Sequence, residues 1–188
     1  MASEVDQLIK IYASHVATPW QSGLSGGEKV WFLVYRPEIE RRIVFRLEDF
    51  VSATSDASHG WVSIDLAQRY SRWLANQRNK AGYFANPAAI PEKRFTEDLI
   101  AELTPEVSAA GPGDVVVLTS TISLFGVAKL SELIKGTENR KPGIDAHIKG
   151  RLLVLFPGSR ENNTYHFLET GDGWNYLAVP LTASSSVV

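Results

Sequence analysis

Residues 114–136 read DVVVLTSTISLFGVAKLSELIKG, and this stretch decides the fold. The apolar run from Val115 to Leu118 predicts a strand buried on both faces. Three small hydroxyl residues follow: Thr119, Ser120 and Thr121. Leu124, Ala128, Leu130 and Ile134 then recur at helical spacing, and Gly136 supplies a stop. The unit is strand–turn–helix. Parallel α/β sheets are built from such units, and their ligands sit where the strands end.

Outward from this unit, residues 30–35, 61–64 and 151–156 predict three more strands. Helical stripes alternate with them. Ser3 caps the first, in which Val5, Leu8, Ile9, Tyr12 and Val16 share a face. Pro37 opens the second, with Ile39, Ile43, Val44, Leu47, Phe50 and Val51 inward. Asp65 caps the third, with Gln68 completing a capping box and Leu66, Tyr70, Trp73 and Leu74 inward. The fourth runs from about Pro91 with Phe95, Leu99 and Leu103 inward, and Thr104-Pro105-Glu106 restarts a turn. Residues 79–91 predict a loop, and 137–150 a longer mobile one. The strand at 151–156 stops at Pro157-Gly158-Ser159-Arg160. Residues 165–168 and 174–179, flanking Gly171-Asp172-Gly173, carry a hairpin signal. The expected fold is α/β, one domain over residues 1–182. It has a mainly parallel sheet, helices on both faces and a C-terminal antiparallel hairpin. Residues 183–188 read as a disordered tail.

Composition narrows the function classes. Nineteen basic and 21 acidic residues give a net charge of −2, which offers no wholesale attraction for nucleic acid. The chain has no cysteine, which excludes disulfides, thiolate catalysis and cysteine-based zinc sites. The N-terminus is polar and no apolar run is long enough to span a bilayer, so a soluble, cytoplasmic protein is expected. The phosphate loop G-x-x-x-x-G-K-[ST] is absent, as are a dinucleotide turn after any strand and the serine-hydrolase elbow G-x-S-x-G. The four histidines, His15, His59, His147 and His166, do not pair at metal-ligand spacing. No catalytic residue, cofactor or metal is expected.

One constellation remains. Arg36, Asp65, Thr119, Ser120, Thr121, Ser159 and Arg160 all fall at predicted strand C-termini. Two guanidinium groups, several hydroxyls and helix N-termini in one place suit a phosphate or another anion. Helix capping and turn chemistry account for the same residues. A second group reads as an interaction surface: Trp20, Tyr83, Phe84 and Trp174, with Arg41 and Arg42 on the charged helix after Pro37. Trp, Tyr and Arg dominate interface hot spots.

Leu24-Ser25-Gly26-Gly27-Glu28 looks like the signature peptide of ABC-type ATPases. That peptide opens a helix, whereas here the following residues read as a strand, so the match is assigned to chance. A longer series of segments resembles the BrxB family of bacteriophage-exclusion (BREX) defence systems. The family's apolar strand running into Tyr-x-Pro-x-x-Glu is matched by Val34-Tyr35-Arg36-Pro37-Glu38-Ile39-Glu40. Its strand leading to Asp-Leu is matched by Ile64-Asp65-Leu66. Its hydrophobic strand and Thr/Gly turn correspond to residues 116–126. Its strand ending Phe-Pro-Gly is Leu153-Val154-Leu155-Phe156-Pro157-Gly158, and a final aromatic strand is Asn175-Tyr176-Leu177-Ala178. The match spans roughly residues 30–180.

The resemblance implies a small non-catalytic adaptor or scaffold, built on a degenerate nucleotide-binding domain, in a phage-resistance complex. The family's partners are the alkaline-phosphatase-like PglZ, the ATPase BrxC and the methyltransferase, so DNA is reached only indirectly and no membrane is involved. The residues alone leave an alternative open, a stand-alone nucleotide- or nucleic-acid-binding module using the strand-end anion site.

Overall fold

In the computed structural model, residues 2–137, 141–168 and 173–183 are described. The chain runs α1 (Glu4–Val16), β1 (Val30–Tyr35), α2 (Glu40–Phe45), α3 (Leu47–Asp56), β2 (Gly60–Asp65), α4 (Arg69–Ala75), α5 (Lys80–Ala85), α6 (Glu92–Ala109), β3 (Asp114–Thr119), α7 (Leu130–Lys135), β4 (Arg151–Glu161), β5 (Thr164–Phe167), β6 (Gly173–Asn175) and β7 (Val179–Thr182). Five strands pair in parallel in the order β2-β3-β4-β1-β7. The far end of β4 pairs antiparallel with β5, and β5 with β6. The fold is therefore mixed α/β around a central sheet.

Strand alternation sorts the apolar side chains into two cores. Val30, Phe32, Val34, Val116, Leu118, Leu152, Val154 and Phe156 pack with Phe95, Leu99 and Leu103 of α6 and Leu133 of α7. Trp31, Leu33, Tyr35, Val115, Val117, Leu153 and Leu155 pack with Val5, Leu8 and Tyr12 of α1 and Phe50 of α3. Both faces of these strands are apolar, which is why their sequences read as unbroken hydrophobic runs.

Local chemistry sets the boundaries. Ser3 and Asp6 form a reciprocal capping box on α1. The Tyr12 hydroxyl and Thr54 Oγ1 lie 2.6 Å apart in a buried hydrogen bond that ties α1 to α3. Burial pushes the Tyr12 phenol up to about 12, so it is neutral at ordinary pH. Pro37 sits at the first position of a short 3₁₀ turn that leads into α2. Arg46 then separates α2 from α3 and bonds both Asp6, at 3.1 Å, and Asp49.

Several expectations are corrected. The helix after β3 starts late. Thr121–Leu124 is a 3₁₀ turn, and Gly126, at φ 75°, breaks the path before α7. Pro105 lies inside α6 and does not restart the chain. Continued burial of Leu103 and Val107 offsets the roughly 3 kcal/mol that an interior proline costs. Residues 80–85, read as loop, form α5. Val44 is exposed, because the junction at Arg46 turns it off the inward stripe.

The strand at 151 does not stop at Pro157. Pro157 is level with Tyr35 in the parallel pairing, and from Gly158 onward β4 pairs with β5. Proline offers no N–H to a ladder, so it suits the point where the strand changes partners. Gly158 follows because a Cβ there would come within 2.1 Å of the His166 carbonyl oxygen. The predicted hairpin exists as β5–β6, but residues 179–182 leave it to form a parallel strand beside β1. The predicted mobile loop is anchored over 141–150: Ile144 and Ile148 are buried, and Lys29 Nζ donates to the Ile148 carbonyl at 3.0 Å. Ala183 is buried, so the tail prediction fails there. Residues 138–140, Gly171, Asp172 and residues 184–188 lie outside the described residues.

Candidate functional site

At the carboxyl ends of the parallel strands, the predicted cluster is only partly assembled. Asp65 and Thr119 are paired neighbours on β2 and β3. Thr119 is buried, and its carbonyl accepts the Leu66 N–H at 3.2 Å. Asp65 does not complete a capping box. Its Oδ1 accepts the Ala67 N–H at 3.0 Å in a local turn, and α4 begins only at Arg69. Ser120 takes the left-handed conformation, at φ 56°, and its carbonyl accepts the Ser123 hydroxyl at 2.7 Å. Thr121 is fully buried and donates to the Leu155 carbonyl at 2.6 Å.

The two arginines of the cluster are held elsewhere. Arg36 reaches back to Glu4 on α1, at 2.7 Å. Ser159 and Arg160 pair with His166 and Tyr165 in the antiparallel extension, past the level of Tyr35. Two to three residues at roughly 3.3 Å each separate them from the parallel edge. Arg160 donates to Asn163 Oδ1 at 2.9 Å and lies over the Tyr165 ring. Ile122 and Phe125 are exposed beside Thr121, placing apolar surface where the sequence predicted an anion.

The predicted interaction residues also divide. Trp174 packs against Phe32, Tyr165 and Tyr176, and belongs to a core. Trp20 stacks on His59 with ring centres 3.6 Å apart. Tyr83 is half-buried and Phe84 exposed, both on α5. Arg41 and Arg42 are exposed on α2, with Phe45 three and four residues on, so all three share a helix face. Phe45 is 86% exposed, more than any other large hydrophobic side chain among the described residues. Beside it lies a recess of about 480 Å³ lined by Ser3, Val5, Arg41, Arg42, Phe45 and Arg46.

Sequence reading missed Phe45. The available signal is that it falls off the stripe defined by Ile39, Ile43 and Phe50. It also missed Arg151, buried at the start of β4, because a charge at a strand's first residue ordinarily faces water.

The Tyr-x-Pro-x-x-Glu segment has a structural explanation. The Tyr35 hydroxyl donates to Glu40 Oε2 across the turn that starts α2. Burial drives the Tyr35 phenol above its ordinary value, and the Glu40 carboxylate adds to the shift. Burial likewise raises Glu40, partly offset by the bond from Tyr35. This clasp orients the helix that carries Arg41, Arg42 and Phe45.

Comparison with protein-family models finds no match, and neither the curated proteins nor the solved structures include one similar to this chain. Among the described residues, no helix is long and apolar enough to cross a membrane.

Proposed function

We propose that this chain is a non-catalytic adaptor of a BREX-type anti-phage defence complex in the cytoplasm, bridging larger subunits through the exposed face of α2. The carrying observation is Phe45, presented to solvent with Arg41 and Arg42 beside a recess. Exposed aromatic and Arg side chains next to a concavity are what interface hot spots are made of. The partner segment that fits is acidic and carries an apolar side chain for the recess. The order of the Tyr-x-Pro-x-x-Glu, Asp-Leu and Phe-Pro-Gly segments supports the family reading. Its partners are then the PglZ-like phosphatase-fold protein, the BrxC-like ATPase and the methyltransferase. We read the two cores as helical layers on both faces of the sheet, a degenerate nucleotide-binding domain reused for assembly.

The test is affinity purification of the tagged chain from cells carrying its native gene neighbourhood, with captured proteins identified by mass spectrometry. Stoichiometric recovery of one of these subunits is expected. Phe45→Asp, or Arg41→Glu with Arg42→Glu, should abolish it while leaving the thermal midpoint of the isolated chain unchanged. Recovery unaffected by either variant removes α2 from the interface. A chain that purifies alone and is saturably stabilised by a nucleotide, or binds DNA in a salt-dependent way, favours the alternative module.

A further inference from the structure

At the amino ends of the parallel strands lies a second recess, about 360 Å³, whose walls include His15, Trp20, Glu28, Trp31, Arg151 and Leu177. That volume is at the small end of the range for small-molecule sites, about 300–1,000 Å³. We propose that it binds a small organic monocarboxylate with an apolar or aromatic body, the carboxylate taken by Arg151.

Arg151 is 6% exposed, yet no carboxylate pairs with it among the described residues. Buried arginine is almost always paired, because removing the charge from water is costly. Its Nη1 donates to the Gly150 carbonyl and its Nη2 to the Gln21 carbonyl, each at 3.0 Å. A guanidinium has five N–H donors, so most of Arg151's have no acceptor among the described residues. A second residue of the same wall carries an orphaned donor: the Trp20 indole nitrogen is buried with no acceptor among the described residues. Trp20 thus lacks an acceptor and Arg151 keeps N–H donors beyond its two carbonyl bonds, and a carboxylate supplies acceptors in the planar geometry that arginine prefers.

The rest of the wall defines the body and charge of the ligand. Trp20 stacks on His59 at 3.6 Å, and the Arg151 guanidinium lies 4.8 Å from its ring centre, so cation and ring are held in place before any ligand arrives. Trp31, Leu177 and Val179 add apolar surface. Burial, then the nearby Arg151 charge, hold His15 below its ordinary value, so it contributes no second cation at neutral pH. Glu28 accepts from the Ser25 hydroxyl at 2.6 Å and backbone N–H at 2.9 Å, which keep its carboxyl below the usual range and ionised. A fixed negative charge in the wall disfavours a dianion, so a monocarboxylate is preferred over a phosphate ester.

The test uses the full chain and three probes, phenylacetate, phenylacetamide and phenyl phosphate, followed by tryptophan fluorescence and thermal midpoint. Phenylacetate should give a saturable fluorescence change and a raised midpoint. The neutral amide and the phosphate dianion should each bind at least about tenfold more weakly. Arg151→Met should abolish the response. Leu177→Asp is the control for folding, since Leu177 is 75% exposed at the mouth. It should weaken phenylacetate by about tenfold or more and leave the free protein's midpoint unchanged. The proposal is overturned by no saturable response up to about 10 mM phenylacetate. Equal affinity for the acid and the amide, or a Leu177→Asp protein that binds as well as the parent, also overturns it.

Discussion

Arg36, at the carboxyl end of the parallel strands, is 67% exposed in its side chain and holds Glu4 at 2.7 Å. Arg151, at the amino end, is 6% exposed and among the described residues holds two backbone carbonyls and the face of Trp20. At the first end the polar groups are met from within: Thr121 bonds Leu155, Ser123 bonds Ser120 and Asp65 bonds Ala67. The second leaves a cation and an indole N–H in the wall of a recess. An open site is marked by unmet hydrogen-bonding capacity in a cavity, more than by a concentration of polar residues.

The contrast can be broken most severely through the β5–β6 hairpin, which rests on Phe32 through Tyr165, Trp174 and Tyr176. Phe32→Ala should cost about 3–5 kcal/mol in urea unfolding. It should also raise hydrogen exchange in β5 (Thr164–Phe167) and β6 (Gly173–Asn175). A loss below about 1 kcal/mol would mean that the hairpin does not depend on this ring. Next in size is Thr121→Val, which removes the donor to the buried Leu155 carbonyl at 2.6 Å. It should destabilise by about 1–3 kcal/mol. A neutral result would show that this hydroxyl is not structural and return it to the candidate anion edge.

A smaller effect follows from His15, which burial and Arg151 hold below the ordinary value of 6.5. The unfolded chain therefore binds the proton more readily than the folded one. The neutral form's contribution is present above that ordinary value and is lost as pH falls through the lowered folded value. Between pH 7 and 5, His15→Gln should lose less stability than the parent; parallel curves would contradict the assignment. The smallest effect is expected from Arg36→Ala, whose partner bond is solvent-exposed. The urea midpoint should not move, and a large shift would make this end as dependent on its arginine as the other.

How much was legible varies with the kind of signal. The apolar runs at 30–35, 115–118 and 151–156 predicted parallel strands correctly, because burial on both faces leaves no room for alternation. Pro157 was misread as a stop, since proline marks the loss of a ladder bond but not which partner the strand takes next. Pro105 was misread for the related reason that a local cost says nothing of the packing that offsets it. The Arg36–Arg160 cluster followed from placing both at strand ends. It dissolved because β4 runs on past Pro157 and carries Arg160 with it.

The α/β class, the inward residues of α1 and α6, the cap at Ser3 and the proline that opens the turn at Pro37 were legible in the sequence, because each depends on neighbours within a few residues. The stacking of Trp20 with His59 and Arg151, and the exposure of Phe45, emerge in the folded chain alone. So does the parallel pairing of the last strand with β1. Those outcomes depend on which distant segments share a surface. Arg151 and Gln21 are separated by most of the chain, and no local periodicity records their contact.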